Sequence, residues 1–172
     1  MAITYTVFCK KSAREVSPEQ LLKGILESDL HTIAEGYEVP EEVILAALGQ
    51  LRMANVSPPG FDFYRLSYRD NGLRQVDVHR WEMPDNAGGV IQEALLDLEA
   101  KQSPGAKQIR NHIESTTEIA FAQFGSMPDE AMAPVLASEV MRWLAQYYEG
   151  IIQADDYWWE LGHHKEYQKI KT

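Results

Sequence analysis

Phe61-Asp62-Phe63-Tyr64-Arg65-Leu66-Ser67-Tyr68-Arg69, then Asp70-Asn71-Gly72, then Leu73-Arg74-Gln75-Val76-Asp77-Val78-His79-Arg80-Trp81-Glu82 is the stretch on which the reading of this chain turns. Two runs of strand-forming residues flank a tripeptide that ends in glycine, a strong short-range signal for a β-hairpin. A loop of Asn71 and Gly72 alone would set Leu66 against Asp77 and Arg65 against Val78, mixing core and solvent residues on both sides of the ribbon. A three-residue loop with Gly72 in the left-handed conformation removes the conflict. Leu66 then pairs with Val76 and Tyr64 with Val78 on one face, while Arg65 opposes Asp77 and Phe63 opposes His79 on the other.

That second face, extended by Phe61 and Trp81, is the first candidate site. Phe61, Phe63, Arg65, Asp77, His79 and Trp81 combine aromatic anchors, an ion pair and a titratable imidazole, the residue types that hold and orient a partner. The same residues also describe a solvent-facing strand surface, in which cross-strand pairs stabilise the hairpin by a few tenths to about 1 kcal/mol each.

Before the hairpin, Ile3, Tyr5, Val7 and Cys9 alternate with Thr4, Thr6 and Phe8, which predicts a strand. Ser17, Pro18 and Gln20 supply an N-cap, a first-turn proline and the third residue of a capping box, so a helix runs from Pro18 to Ser28. Leu30, Ile33 and Ala34 lie at helical spacing before Gly36, and Pro40-Glu41-Glu42 opens a helix to about Met53. Beyond the hairpin, three apolar stripes read as helices. Val90 to Leu98 is one; Ile109, Ile113, Thr116, Ala120 and Phe124 are the second; Met132 to Tyr147 is the third. Gly150 stops the last helix, and Ile151-Ile152-Gln153-Ala154 is a short buried strand. The expected fold is a single α+β domain over 1–172, with 162–172 a basic tail that frays. Its antiparallel sheet of about four strands follows a ferredoxin-like βαββαβ plan with helical insertions, covered by helices.

The 172 residues carry 16 Lys and Arg against 26 Asp and Glu, a formal charge of −10. The termini are basic, so 10 of those cations and 24 of those anions fall between Pro18 and Leu161, while Asp62 to Glu82 is balanced at four of each. A phosphate-tracking surface therefore meets net repulsion unless the few cations cluster. His31 to Ile44 looks like a helix-turn-helix, yet its second helix would present Glu41 and Glu42 to a duplex, and Pro18 to Gly60 holds two cations and seven anions. DNA binding is disfavoured on charge. Cys9 is the one cysteine, which excludes an internal disulfide. Its place in the alternation assigns it to a sheet surface rather than to nucleophilic chemistry. No apolar run approaches the roughly 20 residues that span a bilayer, and a cytoplasmic, membrane-free protein is expected.

Asp155, Asp156 and Trp158 form the second candidate patch, a turn followed by an aromatic anchor. Asp155-Asp156 with His163-His164 has no metal-ligand spacing, so no metal is assigned. No phosphate-binding loop, nucleophile elbow or acid/base pair is present, and neither catalytic residues nor a cofactor are expected.

Val135-Leu136-Ala137-Ser138-Glu139-Val140 with Arg142-Trp143-Leu144-Ala145, then Gly150-Ile151-Ile152-Gln153-Ala154-Asp155-Asp156 and Trp158, resembles the closing helix, glycine, strand and Asp/Trp turn of uncharacterised bacterial α+β families, some regarded as immunity proteins of polymorphic toxins. The resemblance covers about 25 residues of the C-terminal segment and carries over no functional residue. It implies a small cytoplasmic bacterial protein that binds another protein. The leading expectation is thus a non-enzymatic, immunity-like module with an acidic surface toward a basic partner. The alternative is a small-ligand binder or enzyme with a pocket beside the sheet, near His79, Trp81 and the Asp155 turn. Trp143 and Tyr147-Tyr148 give more aromatic surface than one helix face needs, and either a homodimer contact or, more simply, burial inside the domain accounts for it.

Overall fold

The computed structural model describes residues 2–13, 15–57, 62–69, 75–82, 88–125, 131–162 and 166–172, with the side chains of 62 and 63 outside that description. Strand β1 (Ala2–Cys9) leads into helices α1 (Pro18–Leu26), α2 (Leu30–Glu35) and α3 (Glu41–Gln50), and then strands β2 (Arg52–Asn55), β3 (Asp62–Ser67) and β4 (Gln75–Glu82). Helices α4 (Gly88–Glu99) and α5 (Pro104–Glu114) precede β5 (Glu118–Gly125), helix α6 (Met132–Tyr147), β6 (Gly150–Ala154), β7 (Tyr157–Leu161) and β8 (Tyr167–Ile170).

All eight strands join one antiparallel sheet in the order β2-β3-β4-β5-β1-β6-β7-β8. This overturns the four-strand ferredoxin-like plan. The error begins at β5. Ile113, Thr116, Ala120 and Phe124 fit a helical spacing, but α5 stops at Glu114 and the chain continues as the strand beside β1. Ile119 and Phe121 face one side of the sheet, and Ala120, Ala122 and Phe124 the other, all buried. A strand apolar on both faces loses the alternation by which strands are recognised. Met53, read as the end of a helix, lies in the four-residue β2. The C-terminal tail forms the edge strand β8, whose Ile170 is buried against the sheet.

The local signals near the N-terminus act as their chemistry requires. Ser17 Oγ accepts from the Gln20 amide at 3.2 Å and the Gln20 side chain accepts from the Ser17 amide at 2.9 Å, completing the capping box of α1. In the hairpin Leu66 pairs with Val76, Tyr64 with Val78, Arg65 with Asp77 and Phe63 with His79, the register that the burial pattern demands. The loop residues Asp70, Asn71 and Gly72 lie outside the described residues.

Two cores sandwich the sheet. On one face α1, α2, α3 and α6 bury Tyr5, Val7, Cys9, Leu66, Val76, Val78, Ala122 and Ile152. On the other, α4 and α5 pack together over Phe8, Ile119, Phe121, Ile151, Trp158 and Ile170. Among the described residues the second layer has two helices for eight strands. It covers the C-terminal half of β1 and leaves Thr4 at the opposite end of that strand exposed on the same face.

Candidate functional site

The two candidate patches lie on either side of β5 and β1. On β3 and β4, Arg65 Nε lies 2.9 Å from Asp77 Oδ1 and Nη2 lies 3.3 Å from Oδ2, a forked ion pair across the hairpin. Gln75 Nε2 donates to the same carboxylate at 3.3 Å. His79, two residues along β4 and half-buried, has its imidazole pKa lowered by burial, against the pull of Asp77. Trp81 leans on Phe121 of β5 with ring centres 4.4 Å apart, so it seals the rim of the second core. Phe63 is paired with His79 through its backbone, its side chain lying outside the described atoms; Phe61 lies outside the described residues altogether, as do His163 and His164.

Across β5 and β1, the β6–β7 turn brings in the second patch. Asp155 and Asp156 have φ of 50° and 63°, left-handed values that short polar side chains tolerate and that turn the chain within two residues. Asp155 Oδ2 accepts from Tyr5 Oη at 2.9 Å, which ties the turn to the middle of the sheet. Burial, reinforced by Tyr37 and Asp155, pushes the Tyr5 phenol well up, so it stays a donor. Trp158, only 2% exposed, lies in the second core with its ring 5.4 Å from that of Phe8. It anchors the turn from below and contributes nothing to an open surface.

Between this turn and α4 lies a cleft of about 570 Å³. Its floor is Thr4, Thr6, Phe121 and Gln153; its walls are Glu93 and Asp97 of α4 and Asp155 and Asp156 of the turn. Among the described residues, no lysine or arginine lines it. Lys101 reaches Asp97 at 3.5 Å from outside. Glu93 and Asp97, four apart on one face of α4, are the site residues that sequence reading passed over. The helical stripe was legible, but which way its polar face pointed depended on β5.

Other sequence candidates fall elsewhere. Cys9 is buried, and burial with Glu118 nearby pushes its thiol up, opposing thiolate chemistry. Helices α2 and α3 lie together, and Ile44 and Ala47 of α3 enter the first core while Glu41 and Glu42 remain exposed at its N-terminus. Among the described residues no group of acids, histidines or cysteines is placed to hold a metal ion. Among the described residues no helix is long and apolar enough to cross a membrane.

The fold and cleft define an α+β protein with one broad antiparallel sheet, a full helical layer on one side and a partial layer, flanked by an acidic cleft, on the other. No family model, curated protein or solved structure matches the chain.

Proposed function

We propose that this is a non-enzymatic, cytoplasmic binding protein whose acidic cleft receives a basic segment of another protein. One observation carries the reading: Glu93 and Asp97 of α4 and Asp156 of the β6–β7 turn, far apart in sequence, line one cleft beside an uncovered part of the sheet, with no lysine or arginine in the lining among the described residues. A lysine or arginine entering it gains charge-assisted hydrogen bonds, and its methylene stem lies along Phe121 and Thr6. The overall charge of −10 raises the encounter rate with a basic partner from a distance and repels nucleic acid. An immunity-like role fits this chemistry, since such a module covers a basic partner.

The test is co-purification from the native host followed by binding measurements at low and high salt. A retained basic protein should release as salt rises, and Glu93→Gln with Asp156→Asn, both exposed positions, should weaken it by roughly tenfold or more through lost charge pairing. Retention indifferent to salt and to these substitutions would remove the cleft from consideration.

A further inference from the structure

On the opposite face of the sheet from the acidic cleft, a cleft of about 450 Å³ opens between α1 and α6 beside Tyr167 of β8. It falls within the roughly 300–1,000 Å³ of small-ligand sites. Because Gly24 has no side chain, the Trp143 indole lies directly against α1. Tyr147, one turn further along α6, is tilted 34° to that indole with ring centres 4.6 Å apart. Tyr147 is 57% exposed, so an aromatic ring stands in solvent at the rim.

The base of the cleft holds a fixed but under-satisfied ion pair. Glu139 is only 7% exposed, and Arg142 Nη1 reaches its Oε2 at 3.3 Å. The Tyr167 ring, centred 5.0 Å from the guanidinium, holds Arg142 in place. Arg142 Nε is buried without a partner, and Nη2 makes no hydrogen bond among the described residues. Ser28, beside Glu139, gives its single hydroxyl proton to the Ile25 carbonyl at 2.7 Å. A carboxylate accepts up to about four hydrogen bonds, so Glu139 keeps acceptor capacity and Arg142 keeps donor capacity in one place.

The lining does not favour an ion. Among the described residues it sets Lys23 and Arg142 against Glu27 and Glu139, and Lys23 already lies 3.7 Å from Glu27. The amides of Gln20 and Gln146 add both donors and acceptors at the rim. A matching ligand is neutral, donates and accepts from one compact body, and carries a C–H face for an aromatic ring. Hydroxyls on a six-membered sugar ring meet all three requirements. Neighbouring hydroxyls can donate to Glu139 and accept from Arg142, while the ring C–H groups meet the negative face of the Tyr147 ring. A flexible polyol has the same hydroxyls but loses more freedom on binding.

We propose that the cleft between α1 and α6 binds a neutral pyranose sugar, its hydroxyls on Glu139 and Arg142 and one ring face on Tyr147. This site is independent of the acidic cleft and stands or falls without it. The test titrates the full chain with glucose, galactose, mannose and N-acetylglucosamine, with sorbitol as the acyclic control, followed by tryptophan fluorescence and by the Trp143 and Tyr147 ring resonances. At least one of the sugars is expected to saturate and to shift both rings at concentrations where sorbitol does neither. The disaccharide of the sugar that binds then separates a glycan end, for which the disaccharide binds more tightly, from a free monosaccharide, and both orders support the site. Tyr147→Ala, at an exposed position and checked for folding by circular dichroism, should weaken binding roughly fivefold through lost stacking. Leu26→Ala, exposed on α1 but outside the cleft, should leave it unchanged. Saturation by none of the sugars, an equal response to sorbitol, unchanged affinity in Tyr147→Ala, or an equal loss in Leu26→Ala would overturn the proposal.

Discussion

Arg80 and Glu118 form an ion pair inside the sheet, Nε to Oε1 at 3.1 Å, with side chains only 9% and 1% exposed. Glu118 Oε2 also accepts from Ser12 Oγ at 2.8 Å and from the Ala13 amide at 3.0 Å, and Arg80 donates to the Ala13 carbonyl. The pair therefore pins the segment after β1 across β4 and β5. Burial holds the Glu118 carboxyl above the usual range despite Arg80. Arg80→Ala leaves that acid dry without its cation and should cost about 3–5 kcal/mol. Glu118→Gln strands the Arg80 guanidinium, which cannot shed its charge, and should cost a similar amount. Urea unfolding checks both; a loss under about 1 kcal/mol in either variant would mean that water reaches the pair.

The Arg65–Asp77 pair offers the contrast. It is part-exposed, at 38% and 21%. Arg65→Ala should therefore cost under about 1 kcal/mol, and less at high salt. Thermal melts at two ionic strengths measure this, and a large, salt-independent loss would contradict it.

Gly24 sits inside α1, where alanine would ordinarily add up to about 1 kcal/mol of helix stability. Here a Cβ would overlap the Trp143 indole ring of α6. Gly24→Ala should destabilise by about 1–3 kcal/mol and shift the tryptophan fluorescence. In a Trp143→Leu background the same change should cost much less, because the two sites are coupled by contact.

Acid should weaken the fold through its histidines. His79 and His112 both have pKa values lowered from 6.5, chiefly by burial. Below 6.5 the unfolded chain takes up protons that the folded chain resists, so stability is fully present above that pH and falls as pH drops through the lowered values. His112→Gln should flatten this dependence in unfolding curves taken between about pH 5 and 7. An unchanged slope would assign the acid sensitivity elsewhere.

Removing residues 166–172 should be costly although they end the chain. Tyr167 Oη donates to the Arg142 carbonyl at 2.6 Å, the Arg142 guanidinium lies 5.0 Å over the Tyr167 ring, and Ile170 is buried against the sheet. Loss of the buried Ile170 side chain alone forfeits about 1.5–3 kcal/mol, measurable as a lower denaturant midpoint. A truncated chain of parental stability would show that the strand contributes little.

The hairpin register was legible because one face of the ribbon is buried: a one-residue slip would turn Leu66, Val76 and Val78 to solvent. The capping box of α1 was legible because both partners lie within one turn. The second-face patch was only partly so. Arg65 and Asp77 meet as the pairing dictates, whereas Trp81 and Trp158 are drawn into the second core by Phe121 and Phe8, partners distant in sequence.

The sequence by itself determined the elements whose signals are local: β1, the capped helices, the hairpin and its register, the C-terminal glycine and β6, and the uneven distribution of charge. Tertiary structure alone decided that β5 is a central strand, since burial on both faces erased its alternation, and that the tail pairs as β8. It also decided where the charges meet. Glu93 and Asp156 share a cleft because the sheet order places β1 between β5 and β6. Strand order depends on long-range pairing, which no window of neighbouring residues encodes.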